Sequence, residues 1–172
     1  LGENGCGKTT LMRLIARLYK PTGGNITQYI DEKFKQKPKG SKAWYKKVGV
    51  VYQNPDYQLF MPTVRQEISF GAKSEEYAAE IAELFGVKHL WERHPQSLSE
   101  GQKRRVSIAA VVACQPEVLL LDEPTVGQDY DGLCALVEIL NKLHMQSGNT
   151  MITITHDVRC AEALCDQAYL IA

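Results

Sequence analysis

The sequence has 172 residues, of which 44% are hydrophobic and 23% charged, a composition typical of one globular domain with a sizeable core. Twenty basic residues balance twenty acidic ones, which argues against a chain whose overall charge attracts nucleic acid or an anionic membrane. Five scattered cysteines argue against a disulfide framework or a zinc site and fit a reducing, cytosolic compartment. The sequence shows no signal peptide and no hydrophobic run of the ~20 residues that span a bilayer.

The first predicted element is a glycine-rich loop, LGENGCGKTT, which runs into a helix over residues 9–18, with Leu11, Leu14, Ile15 and Leu18 on one face. Such a loop normally follows a β-strand, so we expect the sequence to begin inside its domain, after a first core strand. A turn at 21–24 and a short strand at 25–30 are predicted next. Seven lysines and no acid then lie between Lys33 and Lys47. We interpret this segment as a solvated loop, with a phosphate-contacting surface as the alternative.

The middle of the chain is predicted to be mostly helical. A valine-rich strand at 47–53 comes first. Helices are expected at 64–70, 75–85 and 99–113, with irregular structure in between. We interpret the region from approximately 55 to 115 as a helical subdomain inserted into an α/β core.

Strands and helices alternate in the last third of the chain. Hydrophobic strands are predicted at 117–121 and 150–155, and an amphipathic helix at 131–146 that ends at Gly148. A short helix and a last strand at 167–171 follow. This alternation implies a parallel sheet with helices on its faces.

The glycine-rich loop matches the phosphate-binding pattern G-x-x-x-x-G-K-[ST], the P-loop. Its glycines let backbone N–H groups turn inward around phosphates, and the N-terminus of the following helix adds partial positive charge. The Lys8 ammonium would reach the β- and γ-phosphates, and the Thr9 hydroxyl would ligate Mg²⁺. A glycine-rich turn that merely precedes a helix is the alternative. We assign nucleotide binding to Gly2, Asn4, Gly5, Gly7, Lys8, Thr9 and Thr10.

Two acids, Asp122 and Glu123, follow the hydrophobic strand VLLL. Acids at the carboxyl end of a parallel strand are what a Mg²⁺ site needs, with an acidic turn as the alternative. We expect Asp122 to hold Mg²⁺ through water and Glu123 to orient or deprotonate the attacking water. His156 follows the strand ITIT, where γ-phosphate chemistry would take place, and we interpret it as functional rather than structural.

The segment LSEGQKRRVSIA, from Leu98 to Ala109, resembles the signature motif of ABC-type ATPases, usually LSGGQ, with Glu100 at the position of the first glycine. GENGCGKTT, Gln53, VLLLDEP and ITHD accompany it in the order of that family and cover essentially the whole chain. The resemblance implies an α/β fold with a P-loop NTPase core, a mainly parallel sheet and an inserted helical subdomain, truncated at the N-terminus. Residues 1–172 would be a partial ABC-type nucleotide-binding domain.

The resemblance also implies roles for individual residues. Gln53 would be the Q-loop glutamine, which senses Mg²⁺ and links the site to a membrane subunit, and His156 would be the H-loop histidine. Catalysis is thus assigned to Glu123, His156 and Gln53, and Mg²⁺ binding to Thr9, Gln53 and Asp122. The start of the signature helix would bind the γ-phosphate of ATP held by a second ABC domain, through Ser99, Glu100, Gly101 and Gln102.

A narrower resemblance comes from QNPDYQLFMPTVRQEISFG (Gln53 to Gly71), which is similar to the Q-loop region of ATPases from energy-coupling factor (ECF) transporters and cobalt-type importers. LSEGQKRR and TVGQD fit as well, although Gln128 replaces the leucine usual in the D-loop at 127–129. The match implies Mg²⁺-dependent ATP hydrolysis that powers vitamin or metal-ion import at the cytoplasmic face of a prokaryotic membrane. The implied partners are ATP, a second ABC ATPase domain, identical or different and possibly on the same chain, and a transmembrane coupling subunit, with no nucleic acid.

The segment 56–63 (DYQLFMPT) places Tyr57, Leu59, Phe60 and Met61 in a loop between prolines. Exposed apolar clusters of this kind usually mark a contact surface. We interpret the loop as part of a groove that receives a short helix of the membrane subunit. The alternative is that these side chains fill the joint between the helical subdomain and the α/β core.

Two other functions remain to be weighed against transport. ABC-type ATPases of DNA repair carry a long coiled coil between P-loop and signature, whereas Gly7 and Leu98 are only 91 positions apart, with no heptads between them. A regulatory nucleotide-binding domain without catalysis would lack Glu123 or His156, and both are present.

Overall fold

The structure is a computed structural model that describes residues 1–2, 5–24, 26 and 47–171. Asn4, the strand predicted at 25–30 (apart from Ile26) and the lysine-rich segment up to Lys46 lie outside the described residues. None of the helices in the described part of the chain is both long and apolar enough to cross a membrane.

The sheet found in the described residues has three parallel strands, in the order β1 (Val48–Val51), β2 (Val118–Asp122) and β3 (Thr150–Ile154). All five residues of β2 are buried. Because both sides of a parallel sheet pack against helices, a central strand is covered on both faces and its sequence is a continuous hydrophobic run, here VLLL. The predicted parallel sheet is therefore confirmed.

Helices surround this sheet. All described secondary structure between β1 and β2 is helical, within the segment interpreted from the sequence as a helical insertion. Short 3₁₀ turns lie at Pro55–Tyr57, Lys88–Leu90 and Pro95–Ser97. The α-helices of the described residues are α1 (Lys8–Ile15), α2 (Val64–Ser69), α3 (Glu75–Leu84), α4 (Glu100–Ala113), α5 (Tyr130–Ser147) and α6 (Val158–Leu164).

Side-chain caps explain where most of these helices begin. In each of α2 to α6, an unpaired backbone N–H of the first turn donates to a side-chain oxygen of the residue that precedes the helix. α5 ends as predicted at Gly148, whose φ of 63° suits glycine. The capping residues of α2 to α6 are, in chain order, Thr63, Ser74, Ser99, Asp129 and Asp157.

The alternation of side chains along β2 divides the core into two parts. Leu119 and Leu121 join the larger cluster, which also takes in buried residues of α2, α3, α4 and α5. Val118 and Leu120 point the other way and pack with Met12 of α1 in a smaller cluster. One face of β2 is therefore covered by the helical region and α5, and the other by the helix that follows the P-loop.

The strand predicted at 167–171 is not formed. Among the described residues, Leu1 alone pairs with it: its amino group donates to the Tyr169 carbonyl at 2.8 Å, and its carbonyl accepts from the Ile171 N–H at 2.8 Å. A single paired residue is too short to make a ladder, so the hydrophobic pattern of this segment is not matched by strand geometry.

The first helix is shorter than predicted and buries a different face. It ends at Ile15 instead of residue 18, and Arg17 has a left-handed φ of 59° that no helix interior allows. Its buried side chains are Lys8 and Met12, whereas Leu11 and Leu18, which the periodicity placed on the inner face, are 44% and 43% exposed.

Leu120→Ala is expected to lower the free energy of unfolding by about 2–5 kcal/mol, because truncation of a fully buried leucine leaves a cavity in the cluster beneath α1. Met145→Ala, at a side chain that is 85% exposed on α5, is the control, with an expected change under about 0.5 kcal/mol. Urea unfolding of the full-length protein, followed by circular dichroism, measures both. Equal losses in the two variants would contradict the proposed core.

Candidate active site

The predicted catalytic residues lie where the parallel strands end. Leu121 of β2 pairs with Val51 of β1 and with Thr153 of β3. The three strands therefore end at the same level, and the residues that follow them share one edge of the sheet. These residues are Gln53 after β1, Glu123 after β2, and Thr155 and His156 after β3.

The P-loop leads directly into α1. Gly7 precedes the helix with a φ of 94°, a conformation that glycine adopts at little cost. Lys8, the first residue of α1, is 8% exposed, and its ammonium donates to the Gly2 carbonyl at 2.6 Å and lies 3.8 Å from the Cys6 sulfur. The loop thus holds a buried cation at a helix N-terminus, which is a favourable arrangement for an anion.

Thr9 and Asp122 meet between the P-loop and the end of β2. The Thr9 hydroxyl donates to Oδ2 of Asp122 at 3.0 Å. Asp122 is 3% exposed, and this burial raises the pKa of its carboxyl above the ordinary value, an effect that the Thr9 hydrogen bond opposes and the Glu123 carboxylate reinforces.

The chemistry of this pair fits Mg²⁺ bound together with a phosphate ligand. Within the described residues, no three His, Cys, Asp or Glu side chains gather into a group that could hold a metal ion by itself. Mg²⁺, however, keeps several waters and needs only one or two protein oxygens beside the oxygens of substrate phosphates. A threonine hydroxyl and a carboxylate in contact supply such oxygens.

Glu123 and His156 also meet at this edge. Oε1 of Glu123 lies 2.8 Å from Nδ1 of His156, whose side chain is 60% exposed while that of Glu123 is 7% exposed. The backbone of Glu123 has a left-handed φ of 49°, which costs a non-glycine residue on the order of 1–3 kcal/mol. Its N–H donates to the Ile154 carbonyl at 2.8 Å, which holds this conformation in place.

The second carboxylate oxygen of Glu123 is available for chemistry. Oε2 is buried and has no hydrogen-bond partner among the described residues. A buried acceptor without a partner is costly, so such an atom in a folded protein points to a group that binds there. A carboxylate oxygen in this position can accept a proton from a bound water.

The signature residues form the first turn of α4. Ser99 Oγ accepts from the Gln102 N–H at 3.3 Å, while Gln102 Oε1 accepts from the Ser99 N–H at 3.1 Å, a reciprocal capping box. A hydroxyl carries a donor beside its acceptors, so Ser99 can still donate to an anion in front of the helix. Glu100 is exposed, and a Cβ at Gly101 would lie 3.2 Å from the Gly127 carbonyl oxygen.

The D-loop is tied to this helix by Gln128, the residue that departs from the family's leucine. Its Nε2 donates to the Gly101 carbonyl at 3.0 Å, and its Oε1 accepts from Nε of Arg105 at 3.3 Å. The substitution therefore gives this chain a polar bridge between the D-loop and the signature turn.

Gln53 has an exposed side chain, and its backbone is held by a residue that the sequence analysis missed. Arg104 of α4, which is 3% exposed, donates from Nη1 to the Tyr52 carbonyl at 2.8 Å and from Nη2 to the Gln53 carbonyl. Burial lowers the pKa of this guanidinium. The available signal was its spacing, since Arg104 lies four positions before the buried Ile108 on the inner face of the helix.

A second buried charge, Glu67 of α2, was also missed. Its side chain accepts from the backbone N–H groups of Phe60 at 3.0 Å and Met61 at 2.7 Å. Burial raises the pKa of the Glu67 carboxyl, although both hydrogen bonds oppose the rise. This carboxylate fixes the loop that the sequence predicts to be a contact surface.

An apolar groove of about 230 Å³ lies beside that loop, between β1, α2 and the end of α4. Leu59 is 5% exposed, so one side chain of the segment does fill the joint inside the domain. Phe60 and Phe70 are 68% and 69% exposed and pack edge to face, with 5.6 Å between ring centroids. Leu59 therefore fits the alternative interpretation, while a docking role for the exposed side chains of the loop stays a prediction.

Comparison with known proteins adds to this geometry. A sequence profile of the ABC transporter family matches residues 1–126. The energy-coupling factor transporter ATP-binding protein EcfA2 of Bacillus licheniformis is 42% identical over 177 residues, which cover 97% of this chain and 61% of that protein. The chain spans less than two thirds of the length of such curated relatives.

Two solved structures have a similar fold. One is cbiO1 from Clostridium perfringens, part of the ABC transporter complex cbiONQ, with a TM-score of 0.81 and 35% identity over 99% of this chain and 71% of the other. The second is the dimeric ATP-binding cassette MJ0796 bound to ADP and Pi, with a TM-score of 0.77 and 27% identity over 94% of this chain and 75% of the other. These likenesses confirm the predicted fold class.

Asp122→Asn is expected to stabilise the nucleotide-free full-length protein at neutral pH while weakening its Mg²⁺-dependent nucleotide binding. The raised pKa means that burial disfavours the ionised carboxylate in the folded state. A gain of about 1 kcal/mol would raise the melting temperature by roughly 2–4 °C. Asparagine can still accept the Thr9 hydrogen bond through its amide oxygen.

The pH dependence of this effect provides its check. A carboxyl whose folded pKa lies above the unfolded value of ~3.9 destabilises the fold above the folded pKa, and the effect vanishes below the unfolded one. The advantage of Asp122→Asn should therefore shrink as pH falls toward ~4. Asp166→Asn, at an exposed acid, is the control and should show no such trend. A lower melting temperature for Asp122→Asn at neutral pH would contradict the conclusion that burial raises the pKa of the Asp122 carboxyl.

Proposed function

Since this chain belongs to the ABC transporter family, we propose that it is the ATP-binding domain of an ATPase that powers a membrane importer of the ECF or cobalt type, for vitamins or metal ions. One arrangement carries the proposal: the Thr9–Asp122 and Glu123–His156 pairs lie along the same sheet edge, beside the P-loop. The names of relatives, an ECF transporter ATP-binding protein and a member of the cbiONQ complex, support the transport system. The domain would act as a peripheral subunit at the cytoplasmic face of the membrane.

Nucleotide binding falls to the P-loop, over Gly2, Asn4, Gly5, Gly7, Lys8, Thr9 and Thr10. Lys8 would move its hydrogen bond from the Gly2 carbonyl to oxygens of the β- and γ-phosphates. Mg²⁺, when bound with ATP, offsets the negative charge of those oxygens. Thr9, Asp122 and Gln53 would hold the ion, the first two from positions already in contact.

Hydrolysis falls to Glu123, assisted by His156. Oε1 faces Nδ1 of His156, so the buried Oε2 is left to accept a proton from the attacking water. The water oxygen then bonds to the γ-phosphorus as the bond to the β–γ bridging oxygen breaks, and ADP leaves with that electron pair. His156 orients the Glu123 carboxylate and meets the γ-phosphate from the solvent side.

A second ABC ATPase domain would complete each site. The first turn of α4 presents helix N–H groups and the Ser99 hydroxyl, a donor set for an anion. In a two-fold dimer each chain offers this turn to its partner's γ-phosphate, because identical surfaces are exchanged. The dimeric state of MJ0796 supports this arrangement. The residues involved are Ser99, Glu100, Gly101 and Gln102.

The membrane subunit would dock an apolar short helix in the groove beside Phe60. Two exposed phenylalanine rings at its edge offer the apolar contact, and Glu67 holds the Phe60 backbone in place. Gln58 connects this groove to the Q-loop: its Nε2 donates to the Val50 carbonyl at 2.7 Å, and its Oε1 accepts from the Tyr52 N–H at 2.9 Å. Gln53 directly follows Tyr52. Occupancy of the groove can thus change the position of Gln53 through the Gln58–Tyr52 contact.

Glu123→Gln is expected to keep ATP binding but to lower turnover by roughly 10²–10⁴-fold, because the base acts on water while the P-loop binds phosphates. Lys8→Ala should instead lose nucleotide affinity, because the buried ammonium beside the phosphates is removed. Fluorescent-nucleotide titration and phosphate release, both on the full-length protein, separate the two effects. Glu138→Gln, at an exposed acid of α5, is the control. Turnover near wild type in Glu123→Gln would refute its assignment as the base.

Phe60→Asp is expected to leave ATP binding nearly unchanged and to abolish assembly with the transmembrane subunit, because a charge would enter the apolar contact. The measurement is co-purification of the full-length protein with its transmembrane subunit. Met145→Asp, at an exposed apolar residue outside the groove, is the matched control and should assemble normally. Recovery of Phe60→Asp complexes at wild-type yield would rule out the groove as the docking site.

A further inference from the structure

Arg104 is a buried cation whose contacts the proposed chemistry does not use. It lies in the second turn of α4, five positions after Ser99, and is 3% exposed. Taking a guanidinium out of water costs several kcal/mol unless it is hydrogen-bonded or paired, so its partners show what holds it there.

Those partners are backbone atoms of the Q-loop. Nη1 donates to the Tyr52 carbonyl at 2.8 Å and Nη2 to the Gln53 carbonyl. The third nitrogen, Nε, is buried without a partner among the described residues. The forked end of the side chain thus spans two successive peptide groups just past the end of β1.

The acidic side chains that attract Arg104 are residues that we predict to act at the nucleotide sites. Glu100, Asp122 and Glu123 all attract its positive charge, which opposes the lowering of its pKa by burial. The guanidinium is therefore hydrogen-bonded to the backbone that carries Gln53 and attracted by the carboxylates at the end of β2.

We propose that Arg104 is a positioning residue, which sets Gln53 at the nucleotide site and makes the Q-loop and the signature turn move together. A nucleotide sensed by Gln53 in one domain then orders the signature turn that serves the site of the partner domain. The idea rests on the proposed ATPase function, and it adds a link between the two sites of a dimer. The link is short, since α4 carries both Arg104 and the signature residues.

The planar fork of arginine suits this task better than lysine does. Two donors at a fixed angle can bond two successive carbonyls at once, whereas an ammonium on a flexible stem acts as a point charge. Arg104→Lys should keep the charge and one hydrogen bond but position Gln53 less firmly. Arg104→Met should keep most of the volume and lose both hydrogen bonds.

The test compares these variants in the full-length protein with Ile108→Val, a control on the same buried face of α4 that leaves the Q-loop contacts intact. Arg104→Met is expected to lower kcat by roughly 10–100-fold, as a misplaced reacting group does, while the nucleotide affinity of the undimerised domain, which depends on the P-loop, stays nearly unchanged. Arg104→Lys should recover part of that loss. In a Glu123→Gln background, Arg104→Met should also lose the ATP-dependent dimer seen by size exclusion.

Wild-type kcat and a normal ATP-dependent dimer in Arg104→Met would overturn the proposal. So would losses that follow only the amount of folded protein, as expected for Ile108→Val. If Arg104→Met does not fold, Arg104→Lys decides: a lower kcat at unchanged nucleotide affinity of the undimerised domain supports the role, and wild-type kcat refutes it. Failure of Glu123→Gln alone to bind ATP or to dimerise would instead refute the proposed function, independently of Arg104.

Discussion

The site depends on one constraint, which is the complete burial of β2. A strand with apolar neighbours on both faces cannot carry a charged group along its length without a large desolvation cost. Its charged neighbours therefore lie at or beyond its ends, with Glu117 before it and Asp122 and Glu123 at its carboxyl end. Parallel pairing brings the ends of β1 and β3 to the same level, so the chemistry-bearing residues of three strands meet at one edge.

The charged groups at this edge of the sheet lower the stability of the folded domain. Asp122 is a buried carboxylate whose pKa is raised by desolvation, and Glu123 has a left-handed backbone and a buried oxygen without a partner among the described residues. None of these three features helps the domain fold, since each costs free energy. Their occurrence in successive residues supports the proposal that a ligand with complementary charge binds there. This is the physical argument that a cation and a water belong in front of β2.

The sequence predicts the three strands found in the described residues and most of the described helices, because each rests on a strong local signal. The run VLLLDEP indicates both a buried strand and its acids, and Ser99 marks the start of α4 through its capping box. The segment 167–171 carries the same apolar signal as a strand, but strand formation needs a partner, and Leu1 alone supplies one in the described residues.

The predictions that failed or were missed depend on tertiary contacts. On α1, several residues fit an apolar stripe equally well, and packing under β2 selects Met12 instead of Leu11. Arg104 and Glu67 look like solvated charges in the sequence. Their function becomes visible only when the loops that they hold, at Gln53 and Phe60, are seen to lie across from them. The sequence does not show which backbone carbonyl or N–H groups a side chain will contact, so these partners could not be predicted.

The departure of the signature from LSGGQ can be judged in the same way. Glu100 is the first residue of α4, where an acidic side chain interacts favourably with the helix dipole, and its carboxylate lies 3.6 Å from the Lys103 ammonium, with 68% of the side chain exposed. In the part of the chain that the structure describes, this mostly exposed position accommodates a side chain. Gly101 differs, because a Cβ there would lie 3.2 Å from the Gly127 carbonyl and 3.3 Å from Gln128 Nε2. In this chain the second glycine of the motif is fixed by the approach of its own D-loop, while the first position is free to carry a charge.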